Sequence, residues 1–190
     1  MKKQKEVQNN AVGLLYLYGA FDGEDLQFLD GILKQNELEF VSHVTPPRSI
    51  AGIEEFFPQI QIFLSSDIVQ TICLGVATNT IYDAIKYFVL SVRNLARKKP
   101  MYKVEASKGV TKVTPTIHFN IGKMHAVLPV EIDDEKFKYF VDKAFETADE
   151  KTLTTETYFV YSEKTGEARH YTQNELVQQA YQEAKLKETI

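Results

Sequence analysis

Residues 11–19, AVGLLYLYG, are apolar almost without interruption. That pattern predicts a strand ending at Gly19 and covered on both faces. The period then changes. In FDGEDLQFLDGILKQNE, Leu26, Leu29, Ile32 and Leu33 fall on one helical stripe, with Phe28 beside it. Asp22, Glu24 and Asp25 crowd its start, where the helix dipole favours negative charge. LEFVSHV reads as a second strand, stopped by TPPR. Strand, helix and strand in succession predict a right-handed βαβ opening with parallel strands.

The middle of the chain reads as helical. SIAGIEEFF is a short helix stopped near Pro58, and QIQIFL fits either a strand or a helix. A long helix is expected over 67–98, with Ser66 as its cap. Its apolar residues wrap much of the circumference until Ile85, Phe88, Val89, Val92, Leu95 and Ala96 narrow to one stripe. RNLARKKP ends it, with Pro100 as the stop. The best uncharged run in this region, residues 68–82, is short of the ~20 apolar residues of a membrane-spanning helix. A membrane partner is therefore not expected.

The second half alternates with period two. MYKVEAS, VTKVTPTIHFN and KMHAVLPVEI predict three short strands, an antiparallel meander over about 101–131. DDEKFKYFVDKAFETADEK follows as a helix capped by Asp133, with Phe137, Phe140, Val141, Ala144, Phe145 and Ala148 on one face. ETYFVYSEKTGEARHY reads as a hairpin turning at 164–166. Thr172 and Glu175 form a capping-box signature for a last helix at about 173–187. Residues 1–10 read as a flexible tail, and 11–190 as a single α+β domain whose only seam lies near 99–100. The expected fold is a mixed sheet with helices packed on it. It comprises a βαβ unit, a long apolar central helix, a meander, a further helix, a hairpin and a C-terminal helix.

Composition narrows the function classes. The 190 residues carry a net charge of −4, with 44% hydrophobic and 25% charged residues, ordinary values for a soluble globular chain. Such a balance gives no global attraction to nucleic acid or anionic membrane. The one cysteine, Cys73, excludes an intramolecular disulfide and lies in an apolar run, where a thiol behaves as a small hydrophobe. The charged and polar start, MKKQKEVQNN, lacks a signal-peptide core, so a cytoplasmic location is expected.

Three groups of residues could carry chemistry. Placing Ile121 and Gly122 at the centre of a tight turn sets His118 directly opposite His125, with Cβ atoms about 5 Å apart on the polar face. Two imidazoles so placed fit a metal or an acid–base pair, with Glu131 as the nearest third ligand, or simply the wet face of a hairpin. Asp22, Glu24, His43 and Arg48 fall beyond the carboxyl ends of the first two strands, where ligands of parallel sheets sit. Their roles there would be carboxylates on a metal, an imidazole base and an anion-binding guanidinium, although acidic residues also suit a helix start. Arg93, Arg97, Lys98, Lys99 and Lys103 form a basic patch that fits either phosphate contact or a helix C-terminus.

No motif ties the chain to a known family. The leading expectation is a non-catalytic protein-interaction or accessory module, self-associating through surplus apolar surface on the helix at 67–92 and needing no cofactor. The alternative is a metal-dependent hydrolase or phosphoesterase using a divalent ion at either candidate site. Weak nucleic-acid binding through the basic patch is a third reading.

Overall fold

A computed structural model of the chain describes residues 10–45, 59–75, 79–99, 101–105, 109–113, 115–128, 130–162 and 165–178. Strand β1 (Ala11–Leu17), helix α1 (Gly23–Lys34) and strand β2 (Glu39–Thr45) form the expected βαβ unit. β1 and β2 are parallel, in register from Ala11 against Glu39 to Leu17 against Thr45. Asp22 caps α1 in a reciprocal box: its carboxylate accepts from the Asp25 N–H at 3.0 Å, and the Asp25 carboxylate accepts from the Asp22 N–H at 3.0 Å.

QIQIFL is a strand, β3 (Gln59–Leu64), antiparallel to β1. Ile60, Ile62 and Leu64 are buried, so the period-two reading of this stretch prevails. The single helix expected over 67–98 is instead two, α2 (Ser66–Cys73) and α3 (Asn79–Lys98). Gly75 ends the first at φ +67, a backbone region that favours glycine at helix ends. Ser65, not Ser66, sits at the α2 N-cap, and its hydroxyl accepts from the Ala11 N–H. The break explains why apolar residues seemed to encircle one helix: two stripes of different phase follow each other. Ile68, Val69 and Ile72 of α2 are buried, as are Ile85, Phe88, Val89 and Val92 of α3. The helical surplus expected to drive self-association is thus largely absorbed by the chain's own core.

Residues 101–131 also divide differently. β4 (Met101–Glu105) and β5 (Gly109–Val113) form a separate two-stranded antiparallel sheet. β6 (Thr116–Ile121) and β7 (Met124–Leu128) form a hairpin in the main sheet. The expected three-strand meander is therefore two ladders of two strands.

Helix α4 (Asp134–Thr147) is capped by Asp133 as expected, its carboxylate accepting from the Lys136 N–H at 2.8 Å. A 3-10 turn (Glu150–Leu153) leads to the hairpin of β8 (Thr157–Ser162) and β9 (Glu167–Thr172). The Thr172 hydroxyl accepts from the Glu175 N–H at 3.4 Å, and the Glu175 carboxylate accepts from the Thr172 N–H at 2.7 Å. Residues 173–178 are helical; the rest of the expected last helix, the expected helix before Pro58 and the tail at 1–9 lie outside the described residues.

The main sheet has seven strands in the order β2-β1-β3-β6-β7-β8-β9. β1/β2, β3/β6 and β7/β8 are parallel pairs, and the other three junctions are antiparallel. Val12, Leu14, Ile60, Ile62, Ile117, Phe119, Met124, Ala126 and Phe159 join the buried faces of α1 to α4 in one core cluster. The residues between them point the other way and belong to no such cluster. Among the described residues, helices therefore cover β1 on one face only, not on two.

Candidate functional site on the helix-free sheet face

Pairing parity fixes what the other face, free of helices among the described residues, carries. From the central strands it receives Gly13, Leu15 and Leu17 of β1, Gln61 and Phe63 of β3, His118 and Asn120 of β6, and His125 and Val127 of β7. None of these is Lys, Arg, Asp or Glu, in a chain that is 25% charged. Val41 flanks them on β2, and Tyr158 and Val160 on β8. Val41 is 44% exposed and Phe63 41% exposed, high values for side chains of this type on a sheet.

Gly13 and Phe63 face each other across the β1/β3 ladder. The Phe63 ring lies on the glycine so closely that a Cβ there would sit 2.0 Å from ring atoms Cε2 and Cζ. Glycine is thus required for close approach, not for turning. Beyond the ring, the face runs into a cleft of about 370 Å³ lined by Phe63, Ser66, Gln70, Asn120, Gly122 and Leu153.

The two histidines share this face, as expected, but not opposite each other. The turn residues are Gly122 and Lys123, so His118 faces Val127 and His125 faces Asn120. Gly122 has φ +61, as the first central residue of a type II′ turn requires, and Ile121 stays in the ladder fully buried. The register differs from the sequence-based one by two residues, which keeps every side chain on its expected face. His118 also lies beside Gln61 of β3. Burial and, secondarily, the nearby His125 hold its pKa below the ordinary imidazole value.

His125 is held from three sides. Nδ1 lies 3.0 Å from Asn120 Oδ1, Nε2 lies 3.5 Å from Glu156 Oε1, and the ring lies against Tyr158 at 5.4 Å between centroids. The Tyr158 hydroxyl donates to the same Glu156 oxygen at 3.0 Å. Glu156 is the partner that sequence reasoning missed, because it reaches His125 through the parallel β7/β8 pairing. Glu131 lies six residues beyond His125, past the far end of β7. It does not complete a ligand set, and no group of three or more His, Cys, Asp or Glu suited to a metal occurs among the described residues.

The second candidate group is dispersed. Asp22 and Asp25 are engaged in the α1 cap and both pair with the Lys99 ammonium, Asp22 at 2.6 Å. That ammonium and the cap hydrogen bond hold the Asp22 carboxyl below its usual range. Glu24 is exposed in the first turn of α1, on the helix side of the sheet. His43 occupies a β2 position paired with Leu15, on the helix-free side. Arg48 lies outside the described residues.

The basic patch is turned inward or neutralised. Arg93 is fully buried, its guanidinium donating to the carbonyls of Val130 and Ile132 and pairing with Asp134 at 2.6 Å. Arg97 reaches the same carboxylate at 3.4 Å, and Lys99 is taken by the α1 cap. Lys98 remains on the surface, and the Lys103 side chain lies outside the described residues. Among the described side chains of the patch, Arg93, Arg97 and Lys99 are thus committed to carboxylates, which leaves Lys98 for phosphate contact. A signal for Arg93 was present in the sequence: it falls four residues after Val89 and three before Ala96, on the apolar stripe itself.

No helix among the described residues is long and apolar enough to cross a membrane. Comparison with models of known protein families, with curated proteins and with solved structures finds no match to this chain.

Proposed function

We propose that this chain is a non-catalytic interaction module that self-associates by packing the helix-free face of its sheet against that of a second copy. One observation carries the reading: the outward positions of β1, β3, β6 and β7 form a continuous surface without a formal charge, bordered by exposed Val41 and containing exposed Phe63. Interface centres are depleted in charged residues and enriched in aromatics in the same way. Two such faces meet without like-charge repulsion, and the pairing is isologous, the commonest form of homo-oligomer. Four strands spaced about 4.8 Å apart and about five residues long give the uncharged patch a footprint of roughly 19 by 17 Å. That patch is smaller than the about 800 Å² per partner of a standard interface, so the association it supports is a weak one. The catalytic alternatives receive no such support, since among the described residues neither candidate group assembles a nucleophile, a base and an anion site within reach.

Light scattering coupled to size exclusion tests the reading, at loading concentrations of about 10–100 μM, the range suited to a modest interface. The expected species is a dimer that Val127→Lys, on β7 opposite His118, converts to a monomer with an unchanged circular-dichroism spectrum. Tyr139→Lys, at an exposed position on α4, leaves the dimer intact. A wild-type monomer across that range, or a Val127→Lys dimer, overturns it.

A further inference from the structure

The uncharged surface spans β1, β3, β6 and β7, so its middle is the β3/β6 ladder, where Gln61 pairs with His118. β6 is also the fourth of the seven strands. A two-fold axis through the middle of the face brings the His118 imidazoles of both copies close to it. We infer that His118 makes the association pH-dependent, holding the copies together while neutral and separating them once protonated. This inference rests on the self-association proposed above and names its control.

The surroundings of His118 support that role. Its neighbours in the sheet are Gln61 on β3 and Val127 on β7, neither of which offers a compensating negative charge. The titratable group next to it on the face is His125, diagonally placed on β7, and beyond that lie Glu156 and Tyr158. Glu156 is directed to His125 Nε2 and to the Tyr158 hydroxyl, so the carboxylate serves the second histidine rather than the first. His125 has partners at both ring nitrogens. For His118, the neighbouring imidazole of His125 opposes ionisation. In the free chain its pKa already lies below 6.5, through burial and through His125. Covering the face with a second copy removes more water and adds a second imidazole, so protonation is disfavoured further.

The linkage sign follows. Dissociation restores hydration to His118, so the separated chains bind more protons than the dimer, up to one per chain. The dimer is favoured above the His118 pKa of the free chain and is released as the pH falls through it.

Sedimentation equilibrium of wild type, His118→Gln and His125→Gln between pH 7.5 and pH 5 tests this, with circular dichroism at each pH to verify folding. The wild-type dissociation constant is expected to rise at least tenfold across the range, while that of His118→Gln stays within about twofold. His125→Gln removes the opposing neighbour and is expected to move the wild-type transition to higher pH. A folded wild-type dimer whose affinity does not change with pH overturns this inference and leaves the self-association reading standing. So does the same pH dependence in His118→Gln, or a His125→Gln transition that stays in place or moves to lower pH. A wild-type monomer at pH 7.5 overturns both.

Discussion

The guanidinium of Arg93 lies over the ring of Phe137, 4.4 Å from its centroid, while its nitrogens reach the Val130 and Ile132 carbonyls and Asp134. One side chain thus fastens α3 to the loop that starts α4. The buried cation is balanced by a carboxylate, two carbonyl dipoles and an aromatic face. Replacing it with methionine keeps much of the volume but leaves the carbonyls without their donor. Arg93→Met is expected to lower unfolding free energy by about 3–5 kcal/mol, as read from urea denaturation. A loss below 1 kcal/mol would show that water or backbone adjustment replaces the guanidinium.

Gly13 and Phe63 give a second test. Gly13→Ala forces a Cβ into the ring, so Phe63 must leave its place, at a cost of about 1–3 kcal/mol. In Gly13→Ala/Phe63→Ala the obstruction is gone. The double-mutant cycle should therefore show a favourable coupling of about 1 kcal/mol or more. Strict additivity would mean that the ring swings aside freely.

Acid stability has a defined sign. Asp22, Asp133 and Asp134 have carboxyls held below 3.8 by Lys99, by the Lys136 N–H and by Arg93 respectively. Groups with a lowered folded pKa contribute stability above the unfolded value and lose it as pH falls through the folded one. Thermal stability should therefore hold from neutral pH to about pH 5 and drop below about pH 4. Asp134→Asn should be less stable than wild type at pH 6, and the two should converge below pH 3. A difference that persists undiminished at pH 2.5 would assign the loss to packing rather than charge.

Cys73 should behave as packing, not as a nucleophile. It is 8% exposed, its sulfur lies 3.0 Å from the Thr152 hydroxyl, and burial raises its thiol pKa. In native protein at pH 8 a thiol reagent such as DTNB should label it at least a hundredfold more slowly than in urea-unfolded protein. Labelling at comparable rates would show that α2 opens readily from the 3-10 turn.

The elements with one dominant local signal were legible in the sequence. α4 has its Asp133 cap and phenylalanine stripe, the βαβ unit its change of period, and the last helix its Thr172/Glu175 box. What escaped was information that only pairing supplies. The uncharged run across 68–82 hid the break after α2, although Gly75 and the polar Thr78, Asn79 and Thr80 mark it. The hairpin register turned on one choice, whether Ile121 or Gly122 opens the turn. Burial of Ile121 and the φ of Gly122 decide it together. Fitting Gly122 closely under the 3-10 turn, with a Cβ position only 2.8 Å from the Thr152 carbonyl oxygen, is a long-range constraint with no local trace. The histidines kept their expected face because strand parity survives a shift of two. Their partners Asn120 and Glu156 followed only from the true register and from the β7/β8 pairing.

The strand order also sets a timetable for synthesis. β3 is complete at Leu64, with β1 along one edge, but its other edge is filled by β6, which begins at Thr116. About fifty residues separate the two, and at roughly 5–20 residues per second the ribosome takes several seconds to supply them. Throughout that interval QIQIFL presents an unpaired apolar edge, with α2, α3 and the β4/β5 hairpin made in between. The same strand of a neighbouring nascent chain could pair there first. For this fold, the interval between β3 and β6 is when exchange between chains and aggregation compete with correct assembly.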